Sequence, residues 1–147
     1  MKLLISTLII LLLSGCASTS PYVPSSTLNE SNASVVYIYR TDVAYHSMNP
    51  EKPFFFVDGK LVDKLGTGQF VRFIVEPGSH TLTSRESVVF APGRESGNLQ
   101  GEFESGKTYY FRYSKNLTSM YHTGVAFVMS DSSSLRPVTK TMFDERS

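Results

Sequence analysis

The residue best placed to do chemistry in this sequence is Cys16, which is the only cysteine in the chain. It follows Leu13, Ser14 and Gly15, and the two small residues would let an extended backbone enter the groove of a peptidase. They are preceded by a positively charged start and an apolar run of about 11 residues. A membrane-spanning helix needs about 20 apolar residues, whereas a shorter run of this kind is typical of a secretory signal peptide. We therefore predict that residues 1–15 are a signal peptide that ends before Cys16.

The four residues at this junction also resemble a known signal. Leu13, Ser14, Gly15 and Cys16 are similar, position by position, to the lipobox of bacterial lipoproteins. The resemblance implies a diacylglyceryl thioether on Cys16, cleavage before it, and acylation of the new amino group with a fatty acid such as palmitate. Two or more acyl chains anchor a protein stably, whereas one does not. Lipoproteins retained at the inner membrane usually carry Asp after the cysteine, so Ala17 favours the outer membrane, facing the periplasm.

Three histidines could serve as metal ligands or general bases: His46, His80 and His122. Their spacing fits none of the usual zinc patterns, and the one thiol would be lipidated, so we expect neither a metal nor a cofactor. His80 follows a Pro-Gly turn, and we expect it to bond a loop carbonyl. The sequence contains no Gly-x-Ser-x-Gly nucleophile elbow. We therefore predict a protein without catalytic residues.

Length and charge narrow the possible partners. Loss of the first 15 of 147 residues would leave 132, which suffices for one domain with a real core. The full chain has 14 basic and 13 acidic residues, and only Lys2 lies in the segment that would be removed, so the mature part is formally neutral. A neutral domain argues against nucleic acid as a partner and against a polybasic membrane patch. The membrane would be reached through the lipid on Cys16.

Residues 16–33 read as a tether. They are rich in Ser, Thr, Pro and Asn and show no hydrophobic period, as is typical of flexible segments. A coil of about 17 residues has an end-to-end distance of roughly 23 Å. We expect the folded domain to occupy residues 34–147.

From residue 34 onward the sequence is typical of an all-β protein, with β-branched and aromatic runs between Gly and Pro turns. Asp58 and Gly59 predict a type I′ hairpin turn. In that hairpin we place Phe54 and Phe56 in the core, because lysines mark the opposite face as the wetter one. The predicted strands cover residues 34–41, 54–65 (as a hairpin), 69–76, 79–84, 86–90, 98–104, 107–113 and 123–130, with a loop at 91–97 and an edge strand or short helix in the tail. This spacing predicts an antiparallel β-sandwich or barrel.

Three segments resemble a family of small bacterial envelope lipoproteins whose shared domain has no assigned function. They are residues 56–62 (Phe-Val-Asp-Gly-Lys-Leu-Val), 75–82 (Val-Glu-Pro-Gly-Ser-His-Thr-Leu) and 106–113 (Gly-Lys-Thr-Tyr-Tyr-Phe-Arg-Tyr). They are similar, more distantly, to PEGA-type surface domains. The resemblance covers about residues 34–130 and implies a β-sandwich of transthyretin-like or immunoglobulin-like shape. Because its motifs are turns and strands, it carries over no catalytic residue.

The aromatic content raises the question of an interaction surface. The chain has eight Tyr and ten Phe, and several predicted strands are apolar on both faces, which is more than a sheet with one wet face should show. Either both faces are buried, under loops or the tail, or one face is an exposed patch for a protein partner. The candidates for such a patch are Tyr39, Phe55, Val57, Phe70 and Tyr110, with Arg40, Arg72 and Arg112 at the rim.

We thus predict an outer-membrane lipoprotein that acts as a non-enzymatic binding or scaffolding module for an envelope protein assembly. One alternative is a glycan or small-ligand binding module, which would need a concave groove of aromatic side chains. A second alternative is a cell-wall hydrolase, which would need a cleft that joins a histidine to a serine or a carboxylate.

Overall fold

A computed structural model of the chain describes residues 19–42, 52–122 and 127–145, with only the backbone described between 117 and 131. These residues form eight β-strands and one short helix. Their bounds are β1 (Ser34–Arg40), β2 (Phe54–Val57), β3 (Lys60–Lys64), β4 (Phe70–Val75), β5 (Gly78–Val88), β6 (Ala91–Phe103), β7 (Thr108–His122), β8 (Phe127–Val138) and α1 (Lys140–Asp144). The predicted signal peptide with Leu13, Ser14, Gly15 and Cys16 lies outside the described residues, as does His46.

The strands pair into two four-stranded sheets, in the orders β4-β1-β7-β8 and β3-β2-β5-β6. The predicted all-β sandwich is therefore confirmed. One pair departs from the antiparallel prediction, because β1 and β7 run parallel, while the other strand pairs are antiparallel. The first sheet is thus mixed.

The core lies between the two sheets and is built from alternate residues of the inner faces. Val36 and Ile38 of β1 face Phe55 and Val57 of β2, and all four are fully buried. The Phe55 ring meets the Tyr113 ring edge-on, with centroids 5.3 Å apart. Each such side chain contributes about 1.5–3 kcal/mol through burial.

The β2–β3 hairpin has the predicted turn but the opposite core face. Asp58 and Gly59 adopt φ values of 49° and 76°, as a type I′ turn requires. A bulge at Val62 of β3 shifts the register, so that Phe55 pairs with Asp63 while Phe56 pairs with Leu61. The predicted core face of β2 was wrong, because Phe55 and Val57 lie in the central core and Phe54 and Phe56 do not.

The bulge also explains why the lysine pattern misled the prediction. It places Lys64 opposite Phe54, on the face away from the core. There Lys64 Nζ lies 4.4 Å from the centre of the Phe54 ring, and Arg85 stacks 5.5 Å from that of Phe56. These cationic side chains cover the rings, so both phenylalanines are buried although they lie outside the central core.

Strands β5 and β6 form one long hairpin where the sequence predicted short strands and a loop at 91–97. Gly97 belongs to that predicted loop, but it lies within β6 and close to Leu135 of β8. A Cβ atom there would lie 2.7 Å from Ser84 Oγ and 3.0 Å from Leu135 Cβ. The glycine thus marks a close approach of two sheets and not a turn. The tail contains both predicted alternatives, an edge strand and then a short helix.

Residues 20–33 are not a free tether but a strap across the open side of the sandwich. Leu61 of β3 donates its N–H to the Ser20 carbonyl at 2.8 Å, and the Tyr22 N–H returns a bond to the Leu61 carbonyl at 2.6 Å. The Tyr22 hydroxyl then donates to the Ile74 carbonyl of β4 at 2.8 Å. The tether prediction was therefore wrong for these residues, because one aromatic anchor and edge-strand pairing fix a segment of polar composition. We call residues 20–33 the N-terminal strap.

Candidate functional site

The outer face of the sheet β4-β1-β7-β8 brings together most of the predicted partner residues. Strand register sets them in two rows across the sheet. The rows are Phe70, Tyr39 and Arg112, and then Arg72, Tyr37 and Tyr110. We call this surface the aromatic face.

Helix α1 closes the aromatic face with a single side chain. The Phe143 ring lies 5.0 Å from Tyr110, 5.1 Å from Tyr37, 5.6 Å from Tyr39 and 5.7 Å from Phe70, between ring centroids. Phe143 itself is 6% exposed. The sequence allowed either burial of both sheet faces or an exposed patch. The structure shows burial of both faces, because the C-terminal tail covers the aromatic face.

Some of the predicted partner residues still reach solvent. Tyr39 is buried beneath α1, and Tyr110 and Arg112 are half-buried, whereas Arg72 is exposed and Phe70 is 47% exposed. In this closed form, the face therefore presents a rim and not an open patch.

Three of the predicted partner residues lie elsewhere. Phe55 and Val57 are fully buried, because they lie on the face of β2 that packs into the core between the two sheets. Arg40 points to the inner side of β1 and is buried, where its Nη1 donates to the Leu65 carbonyl at 3.1 Å. Burial also lowers the pKa of Arg40 against a smaller opposing effect of Tyr113. These residues cannot contact a partner in the folded protein, so their assignment was wrong.

A shallow groove of about 480 Å³ lies between the N-terminal strap and β4. Tyr22, Val62, Val71 and Phe73 contribute its apolar lining. The charged side chains at its opening, Arg72 and Glu30, already pair with each other. The groove is therefore the contact region between the N-terminal strap and the sandwich.

His80 forms a clamp between two turns. Its Nδ1 lies 2.6 Å from Asp58 Oδ2, and its Nε2 lies 2.7 Å from the Glu76 carbonyl oxygen, so the predicted bond to a loop carbonyl is confirmed. Burial alone would lower the pKa of His80, but its bonds to Asp58 and Glu76 outweigh burial and raise it. When both nitrogens donate to these acceptors, the ring is protonated and has no lone pair for use as a base.

The tip of the β5–β6 hairpin is a surface that the sequence analysis missed. Val88, Val89 and Phe90 are 55%, 82% and 87% exposed, and we call these three residues the hairpin tip. Val89 and Phe90 adopt φ values of 48° and 67°, in the left-handed region that a β-branched residue rarely enters. The sequence shows three apolar residues in a row without Gly or Asn, so it reads as a strand and gives no turn signal.

The hairpin that carries this tip is fixed at its base. Lys115 of β7 pairs with Glu86 at 3.3 Å. On β6, Ser96 donates to Ser84 at 3.1 Å, and its carbonyl accepts a bond from Ser133 of β8 at 2.9 Å. The tip is therefore presented on a braced support.

The described residues were also compared with what a membrane-spanning helix and a metal site require: neither is found among them. In the ranges 19–42, 52–122 and 127–145, no helix is long and apolar enough to cross a membrane. The same residues hold no group of three or more His, Cys, Asp or Glu arranged to bind a metal ion.

The fold and its surfaces define a small β-sandwich domain with a closed aromatic face and an exposed apolar hairpin tip. Residues 30–125 match the family described as a protein of unknown function (DUF2846), and the chain belongs to that family. The match confirms the prediction that the chain carries a domain without an assigned function. A search of curated proteins found no match.

Proposed function

We propose that this protein is a lipoprotein of the bacterial outer membrane, anchored through Cys16 and facing the periplasm. Its β-sandwich then serves as a non-enzymatic docking module for another envelope protein. The lipobox-like residues and the likeness to envelope lipoproteins and PEGA-type domains support the anchor and the compartment. The hairpin tip supports the docking role.

The strain at the hairpin tip is the observation that carries the docking proposal. A residue held in a sparsely populated backbone conformation costs about 1–3 kcal/mol, and Val89 and Phe90 are both held in this way. A two-residue hairpin turn strongly favours Asn-Gly instead. The strained turn lowers the stability of the fold and leaves a valine and a phenylalanine exposed. This is best explained if their side chains bind a partner.

The chemistry of the tip defines the partner that it fits. Phe90 can fill an apolar pocket, as aromatic anchors do at protein interfaces, while Val88 and Val89 add apolar contact beside it. The braced hairpin loses little conformational entropy on binding, which favours affinity. The partner is therefore a protein with an apolar pocket that admits a projecting hairpin.

In-cell crosslinking of the lipidated protein tests this proposal. The double variant Val89→Asn, Phe90→Gly replaces the tip by a favoured turn pair, and it should lose the dominant crosslinked partner. Val23→Asn is the matched control, since Val23 is also an exposed apolar residue, at 73%, but lies on the strap; it should keep the partner. A partner retained in full by the double variant would overturn the proposal.

Cys16→Ser, which should stay unlipidated, tests the anchor separately. We expect this variant to leave the membrane fraction and to lose the partner if the partner is also held at the membrane. Retention in the membrane fraction would contradict the anchor while leaving the docking role of the tip open to the test above.

A further inference from the structure

We propose that the hairpin tip points away from the membrane that holds the lipid, so that it engages a protein in the periplasm and not the host bilayer. This inference rests on the proposed anchor at Cys16. It follows from the direction in which the N-terminal strap enters the sandwich.

Strand directions relate the strap to the tip. Pro21 forms a parallel bridge with Leu61, so the strap enters in the direction of β3. Both β3 and β5 are antiparallel to β2, and they therefore run the same way. Since β5 ends at the tip, the chain enters the sandwich running toward the tip. The strap thus begins, at Ser20, at the end opposite the tip and close to the Asp58–Gly59 turn.

Distances show that the linker is too short to reverse this arrangement easily. Leu61 is level with Thr83 through the pairing of both strands with β2. Val89 follows the last residue of β5 and lies six residues after Thr83, or about 20 Å at 3.3 Å per residue. Cys16 lies four residues before Ser20, so it can reach at most about 14 Å from the sandwich. The lipid therefore tethers the end of the domain that is far from the tip.

The strap entry point and the hairpin tip are both fixed on the sandwich, so the position of the anchor determines the direction in which the tip points. The backbone bonds of Ser20 and Tyr22 to Leu61 hold the entry point on β3. The Lys115–Glu86 pair holds the hairpin base on β7. With both points fixed on one sandwich, the apolar tip is directed outward from the membrane surface, where the partner must be met.

Fluorescence quenching on vesicles tests the orientation. Because Cys16 would be lipidated, an introduced cysteine is the only free thiol to label. Lys60→Cys places a dye at the anchored end, and Ala91→Cys places one beside the intact tip; both positions are exposed. The lipidated proteins are bound to vesicles of phosphatidylethanolamine and phosphatidylglycerol that carry a headgroup-linked quencher.

We expect the dye at position 60 to be quenched several-fold more strongly than the dye at position 91. Equal quenching, or stronger quenching at 91, would show that the tip contacts the host bilayer and would overturn the inference. Flotation of the same vesicles is scored separately, and a lipidated protein that does not float would overturn the proposed anchor instead.

A longer linker supplies the matched control. An insert of about ten Gly and Ser residues after Ala17 adds roughly 17 Å of flexible reach and leaves the strap intact. It should bring the quenching ratio of the two dyes toward one. A ratio that the insert leaves unchanged would mean that something other than the short linker sets the orientation, and would contradict this account.

Discussion

Phe143 packs against Tyr110 with ring centroids 5.0 Å apart, and through this contact a five-residue helix at the C-terminus closes an aromatic sheet face. The sequence had left that face open to a partner. Since Phe143 is the buried residue of α1, the closure depends on one side chain.

Phe143→Ala should therefore open the aromatic face. We expect a loss of about 2–4 kcal/mol in the free energy of unfolding, at the lower end of phenylalanine truncations because α1 lies at the edge of the fold. Urea denaturation measures the loss, and binding of a hydrophobic dye reports the exposed rings. Met142→Ala is the control, since Met142 lies on the same helix but is 43% exposed, and it should change neither. A Phe143 variant as stable as the parent would show that α1 does not hold the face closed.

Gly97→Ala should destabilise the contact between the two sheets. Its Cβ atom would lie 2.7 Å from Ser84 Oγ and 3.2 Å from the Leu135 amide nitrogen, and overpacking of this kind costs about 1–3 kcal/mol. Thermal or urea unfolding measures the change. Gly101→Ala is matched to it in the same strand, because its Cβ atom would meet no atom closer than 3.4 Å. Equal stability of the two variants would refute the close approach at Gly97.

The His80 clamp should make stability fall with rising pH near neutrality. The folded state raises the pKa of His80 above an unfolded value of about 6.5, so the folded protein binds the proton more tightly. The stabilisation is complete below the unfolded pKa and is lost as the pH rises through the folded one. His80→Gln should remove this fall in stability in the pH range that begins near the unfolded pKa of about 6.5. A parent protein with flat stability across that range would contradict the clamp.

Asp58 should make the free energy of unfolding rise with pH in the acid range, opposite to the effect of His80. Burial would raise its pKa, but the Thr81 N–H and the bonded, charged His80 together lower it. Its contribution is present above the unfolded pKa of about 3.9 and disappears as the pH falls through the lower folded value. Asp58→Asn should flatten the acid limb of the stability curve measured by urea titration. An unchanged acid limb would show that other carboxylates dominate.

The double variant Val89→Asn, Phe90→Gly should be more stable than the parent protein. Relief of two strained residues should raise the free energy of unfolding by about 1–3 kcal/mol, although the variant loses the tip. This combination of higher stability and lost binding is the signature of a functional turn. Val23→Asn should leave stability within about 0.5 kcal/mol of the parent. A destabilised double variant would mean that the tip side chains support the fold.

The sequence predicted what depends on local pattern. The turn at Asp58 and Gly59, the alternation of β1, and the position of His80 beside a carbonyl all follow from neighbours in the chain. The core face of the hairpin did not follow, because a one-residue bulge at Val62 moves Lys64 to the other face of β3, and the prediction had relied on that lysine. The role of Gly97 was also hidden, since it depends on Leu135 of a distant strand.

The candidate site was harder to predict for a related reason. The aromatic residues of β1, β4 and β7 were identified, but their cover comes from Phe143, in a tail without a clear pattern. The hairpin tip has no turn residues, and its strain appears only when the backbone is folded. The strap at Tyr22 is fixed by a single aromatic residue within a segment of disordered composition.

The most direct test of the docking role is photo-crosslinking in cells from position 90. A photoreactive phenylalanine analogue replaces Phe90 in one form of the protein and Val23 in the other, both in the lipidated chain. The account predicts one dominant protein adduct from position 90 and none of that mass from position 23. The same adducts from both positions, or lipid alone from position 90, would contradict it.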